Sequence, residues 1–175
     1  MSTASTQIDE LPIHMPSRAP VAGFAELYER HYETVFRAAL RVTGNPADAE
    51  DVLQTVFMRV MSGGGDVEAV AVPAAYFRRA AVNAAVDVLR RREVRAESAY
   101  DHQGPRVVVQ PSLLLKERLR RALAVLDRDD AGLFLLRHLE GLSIEELAAM
   151  FQLEKNNVSV KLHRIRLRLQ AEMER

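Results

Sequence analysis

The sequence predicts an all-α protein: two small helical domains joined by a flexible linker, the C-terminal one a helix-turn-helix. Three observations carry that reading. From Phe24 onward apolar residues recur at three- and four-residue spacings, the period of helix faces. The period lapses across "ESAYDHQGPRVVVQP", where two prolines and a glycine separate two helical stretches. Strand-like character is confined to the short "RVVVQ", for which the chain offers no pairing partner.

Residues 1–23, with Pro12, Pro16 and Pro20 and few large apolar side chains, read as a mobile tail rather than a signal peptide. The first domain spans residues 24–96. In it, Phe24, Leu27, Tyr28, Tyr32, Val35, Phe36, Ala39 and Leu40 follow helical spacing until Gly44 stops them. Asn45 then suits an N-cap and Pro46 the first helical position, where its missing N–H costs nothing. Asp48, Glu50 and Asp51 follow in the first turns, where the helix dipole favours negative charge. Ala49, Val52, Leu53, Val56, Phe57 and Val60 form the buried stripe of that helix. After "SGGGD" and a loop to Pro73, a third helix runs from about Ala74 to Arg95. Residues 97–112 form the linker, which permits the two domains to close on each other or to separate. The second domain, residues 113–175, contains four helices: "LLLKERLRRALAVL", "DAGLFLLRHLEG", "SIEELAAMF" and "NNVSVKLHRIRLRLQAEM".

Composition narrows the function classes. The chain of 175 residues is 48% hydrophobic and 27% charged, a profile of soluble globular proteins. Its 24 basic and 24 acidic residues cancel, so only their distribution informs about partners. Without cysteine there are no disulfides, thiolate metal sites or cysteine nucleophiles, which suits a reducing cytoplasm. No apolar run approaches the roughly 20 residues needed to span a bilayer. No phosphate-binding glycine loop, metal-ligand cluster or catalytic triad stands out, and the five histidines are scattered. A binding protein without cofactor is the expectation, not an enzyme.

Two stretches concentrate positive charge. In the last two helices, Ser143 and Glu146 have the spacing of a capping box, and Val158, Leu162, Ile165 and Leu169 form a core seam. The remaining rows of that final helix carry Asn157, Ser159, Lys161, His163, Arg164, Arg166 and Arg168. A cationic face on the second helix of such a pair is what insertion into the major groove requires. The third helix, "YFRRAAVNAAVDVLRRR", is built from small residues yet aligns Arg79, Asn83, Asp87 and Arg90 in one row and ends in Arg90, Arg91 and Arg92. The acidic start of the second helix lies between these two basic surfaces in function as well as in charge: two contacts fit nucleic acid and one fits another protein.

In this order, "GNPADAEDVLQTVFMRV", "AYFRRAAVNAAVDVLRRR", "EGLSIEELAAMF" and "NNVSVKLHRIRLRL" closely resemble the extracytoplasmic-function sigma factors, two-domain promoter-recognition subunits of bacterial RNA polymerase. The resemblance covers Phe24 to Glu172. It implies a region 2-like first domain, a region 4-like second domain, and three partners: core RNA polymerase, promoter DNA and an anti-sigma factor. It assigns core binding to Asp48, Glu50, Asp51, Gln54 and Phe57. It assigns the minus-ten region to the third helix: Tyr76 as an aromatic platform where the family usually has Trp, and Arg79, Asn83, Asp87, Arg90 and Arg91 along the non-template strand. The loop from Gly63 to Pro73 matches the family loop that receives a flipped base. The minus-thirty-five element falls to Asn157, Ser159, Val160, Lys161, His163, Arg164 and Arg166, with Arg137 on a phosphate.

The chain departs from the family pattern at the turn, where Gln152 replaces glycine. A left-handed conformation there costs a non-glycine residue about 1–2 kcal/mol. Glu154 stands at the cap of the recognition helix in place of serine, Asn156-Asn157 replaces a Gly-Thr pair, and "DRDD" replaces a turn that commonly contains proline. Two other readings remain open at this level: a sigma-like decoy that binds only an anti-sigma factor, and a free-standing helix-turn-helix regulator.

Overall fold

The computed structural model describes residues 24–62, 73–98 and 111–174, and within them all regular structure is helical. The helices are α1 (Phe24–Thr43), α2 (Pro46–Met61), α3 (Pro73–Ser98), α4 (Pro111–Val125), α5 (Arg128–His138), α6 (Ile144–Phe151) and α7 (Lys155–Glu174). The expected tail, the loop at 63–72 and the chain at 99–110, including "RVVVQ", lie outside the described residues. Helix α3 extends three residues past Arg95, and α4 begins at Pro111. The expected linker is therefore helical at both of its edges.

Local chemistry sets the boundaries. Gly44, at φ +67°, ends α1 in the left-handed region, and its N–H donates to the Leu40 carbonyl at 2.8 Å. Asn45 caps α2 through Oδ1, which accepts from the Ala47 N–H at 2.8 Å. Asp127 caps α5 by accepting from the Asp129 N–H. The capping box of α6 is complete: Ser143 Oγ accepts from the Glu146 N–H at 3.1 Å, and the Glu146 carboxylate accepts from the Ser143 N–H at 2.7 Å.

Helix α3 is the axis of the molecule. It packs on α1 and α2 on one side and on α4 and α5 on the other. Its alanines make this possible, because Ala81, Ala84 and Ala85 are buried and let neighbouring backbones come close. Phe77, Val82, Val86 and Leu89 fill the space between. The buried apolar residues of the two halves consequently form one continuous core, from Val35 and Phe57 through Val82 and Leu126 to Leu133 and Ile165. The sequence places two helical domains on a linker that lets them close or separate. It does not name the residues of this junction, because both faces of α3 are small and apolar, and a single helix's pattern does not name its second neighbour.

Candidate nucleic-acid interface

The cationic end of the chain is organised by α5, α6 and α7. Val158, Leu162, Ile165 and Leu169 are buried, as their spacing predicts, and this fixes which side of α7 faces outward. Asn157, Ser159, Val160, His163, Arg164 and Arg166 are exposed on that outward side. Between α5, the start of α6 and α7 opens a cleft lined by Arg137, His138, Ser159, His163 and Arg166. Arg137 is held in its lining by donating to the Leu142 carbonyl at 2.7 Å. Burial, followed by the charges of Arg166 and Arg137, holds the His138 imidazole below its ordinary value, so it is neutral at pH 7. The cleft thus presents two guanidinium groups and two imidazoles to one spot, a donor set suited to phosphate, while the Ser159 hydroxyl donates to the Lys155 carbonyl at 3.2 Å.

Lys161 stands apart from the outward-facing predicted residues of α7. Its ammonium lies 2.8 Å from Asp130 on α5, and Arg168 reaches the same carboxylate at 3.5 Å. Asp130 thereby neutralises part of the charge that the sequence placed on the outward face. The turn before α7 adopts the strained form expected for it: Gln152 sits at φ 54°, ψ 45°, left-handed, while its N–H bonds back to α6.

The second basic surface is on α3. Asp48, Asp51 and Gln54 of α2 line a groove with Arg91, Arg92 and Arg95 of α3. This places predicted polymerase-binding and minus-ten residues side by side. Asp48 is engaged internally, because Arg92 pairs with it and also donates to the Thr43 carbonyl at 3.4 Å. Glu50, Asp51 and Gln54 remain exposed, and Met58 beside them is 64% exposed. Phe57 does not belong to this surface. It is 4% exposed and packs on Phe77, Tyr28 and Phe24, with ring centres 5.4, 4.7 and 6.1 Å away. Its aromatic type suggested a docking residue, whereas its place on the apolar stripe of α2 puts it in the core. Tyr76 is half-buried, edge-on to Phe77.

The polar row of α3 faces the C-terminal half of the chain. Arg79 donates to the Met150 carbonyl at 2.6 Å and lies 4.4 Å over the Phe151 ring. Asn83 is turned toward Gly132, Asp87 pairs with Arg128 at 2.9 Å, and Arg90 donates to the Ala124 and Leu126 carbonyls. Among the minus-ten residues predicted, Arg91 is exposed, and Tyr76, Arg79, Asn83, Asp87 and Arg90 are partly buried. The partners Arg128, Gly132 and Phe151 were not foreseen. Gly132 alone left a trace in the sequence, as a lone glycine inside an apolar helix, a sign of close approach.

No described helix is long and apolar enough to cross a membrane. Compared with known proteins, residues 27–95 match the family Sigma-70 region 2, and residues 116–169 match Sigma-70, region 4. The chain is 30% identical to the RNA polymerase sigma-E factor of Streptomyces avermitilis over 88% of its own length and 87% of that protein. It is also 30% identical to the ECF RNA polymerase sigma factor SigE of Mycolicibacterium smegmatis, over 87% of this chain and 62% of that one. Among solved structures, the sigma factor RpoE of Bartonella quintana, in complex with the anti-sigma factor NepR, shares the fold with a TM-score of 0.51. The two are 19% identical over 88% of this chain and 98% of that one. With both regions present in order and relatives matched along most of the length, the chain belongs to the extracytoplasmic-function sigma factors of the sigma-70 family.

Proposed function

We propose that the chain binds core RNA polymerase through the exposed end of α2, directs it to promoters through the α5–α7 cleft, and holds the unwound minus-ten strand along α3. The observation that carries this reading is the grouping of Arg137, Ser159, His163 and Arg166 at one cleft beside a helix-turn-helix whose recognition helix turns Asn157, Val160 and Arg164 outward. In this reading Glu50, Asp51 and Gln54 make the polymerase contact, Asp48 orients Arg92, and Phe57 supports α2 from within. Arg91, Arg90, Asp87, Asn83, Arg79 and Tyr76 meet the opened strand. The chain acts in the cytoplasm by binding, and polymerase supplies the chemistry. An anti-sigma factor is its expected regulator, as NepR is the partner of RpoE in the related complex.

The test is binding to sigma-free bacterial core polymerase, wild type beside Asp51→Arg. Asp51 shares its groove with three arginines, so the reversal changes the surface without burying a charge. Wild-type binding that the reversal weakens at least tenfold supports the reading. Equal affinity of the two, or no binding by folded wild type, argues for a regulator that works without polymerase.

A further inference from the structure

We infer that α7 carries a base code of its own: Asn156 reads the edge of an adenine, and Val160 reads the methyl group of a nearby thymine. The inference rests on the promoter-binding role proposed above for the helix-turn-helix, and names the bases that role would select.

The core seam sets the frame. Val158, Leu162, Ile165 and Leu169 are buried, so the middle of the exposed face lies opposite them. Counting about 100° per residue, Asn156, Val160 and Leu167 fall within about 30° of that middle line. All three are exposed, Val160 by 41% and Leu167 by 53%. The outermost row of this cationic helix is therefore uncharged from Asn156 through Leu167. Its charges stand to the sides, Arg164, Lys161 and Arg168 on one flank and Arg166 on the other, about 50–110° away. Phosphates line the walls of a DNA groove and base edges its floor. Flanking cations with an uncharged middle suit a helix whose middle row faces the floor.

Near the start of α7, the neighbouring side chains are already engaged. Lys155 is drawn back to α6 by Glu145 at 3.0 Å, the Ser159 hydroxyl donates to the Lys155 carbonyl, and Lys161 is held by Asp130. Asn156 has no side-chain hydrogen bond among the described residues. It stands where the family commonly has glycine, which has no side chain to read with. Residues in the first turns of a recognition helix are the ones that reach base edges. An Asn amide donates from Nδ2 to adenine N7 and accepts at Oδ1 from the adenine N6 amino group, a pairing that adenine alone offers in the major groove. Val160 has no polar side-chain atom, and the thymine methyl is the apolar group displayed there. The rise from Asn156 to Val160 is about 6 Å, roughly two base-pair steps.

The test is in vitro selection from a randomised duplex library, by the full chain alone and bound to core polymerase. Asn156→Ala and Val160→Ala are run beside wild type; both replace exposed side chains, so the fold is retained. Wild type is expected to enrich an adenine and a thymine at a fixed separation of about two steps. Asn156→Ala should lose the preference at the adenine alone, and Val160→Ala at the thymine alone. Changes to single groups in the enriched duplex then check each contact. 7-Deazaadenine, which lacks the N7 acceptor, should weaken wild type about tenfold and Asn156→Ala hardly at all. Uracil, which lacks only the methyl, should weaken wild type about fourfold and leave Val160→Ala unchanged. Enrichment of other bases, or a preference that survives in its own variant, overturns the code and leaves the promoter reading standing. Failure of wild type in both forms to enrich any duplex removes the promoter reading, and the code with it.

Discussion

The imidazole of His31 lies flat against the ring of Phe77, ring centres 4.3 Å apart and planes 19° from parallel. His31 is 5% exposed, and its Nε2 has no hydrogen-bond partner among the described residues. Burial, then the neighbouring Arg30 charge, holds it below the ordinary value of 6.5. The unfolded chain therefore takes up a proton at higher pH than the folded one. The stability this provides is complete above about pH 6.5 and is lost as pH falls through the depressed folded value. His138 is shifted the same way and adds to the slope. The melting temperature should fall between pH 7 and pH 5, and His31→Leu should flatten that fall. A variant with the wild-type pH slope would place the acid sensitivity elsewhere.

Gln152 holds a left-handed conformation that its β-carbon opposes. Glycine removes the clash but adds freedom to the unfolded chain, which offsets part of the gain. Gln152→Gly should stabilise the protein by about 0.5–1 kcal/mol, read as a higher urea midpoint at unchanged slope. Gly44, also left-handed, should behave oppositely. Gly44→Ala brings in the strain and sets a β-carbon against the Arg120 guanidinium, lowering the midpoint.

The features legible in the sequence are those set by neighbours along the chain. The Asn45 cap, the Ser143–Glu146 box, the strained turn at Gln152 and the seam from Val158 to Leu169 each depend on residues within about a dozen positions. Pairings across the fold were not legible. Asp87 finds Arg128 from 41 residues away, and Arg41 finds Glu140 from 99. Charge in a helix row looks the same whether it faces solvent, DNA or another helix. That Arg79, Asn83, Asp87 and Arg90 share one face of α3 was therefore legible, while the helices that face meets were not.

Phe57 separates a docking residue from a packing one. It touches three other rings and is buried, so Phe57→Ala should cost about 3–5 kcal/mol and show mainly as lost stability. Gln54, exposed on the outward side of α2, should behave in the reverse manner. Gln54→Ala should leave the denaturation midpoint within about 0.5 kcal/mol of wild type while weakening polymerase binding. Loss of binding in Phe57→Ala at a temperature where it is fully folded would return that ring to the interface.

Asp130 decides which cations of α7 are free to meet DNA. Arg164 is exposed on the outward side, whereas Lys161 is held by Asp130. Each phosphate neutralised by a free cation adds about 0.9 to the slope of log affinity against log salt. Binding of the full chain to a mixed-sequence duplex, measured across a salt series, should lose about that much slope in Arg164→Ala. Lys161→Ala should lose clearly less, because its charge is already balanced. Asp130→Asn frees the one unit of charge that Lys161 and Arg168 share and should steepen the slope by about 0.9. Equal losses in Arg164→Ala and Lys161→Ala would mean that DNA draws Lys161 away from Asp130 on binding, making the ion pair a contact of the free protein alone.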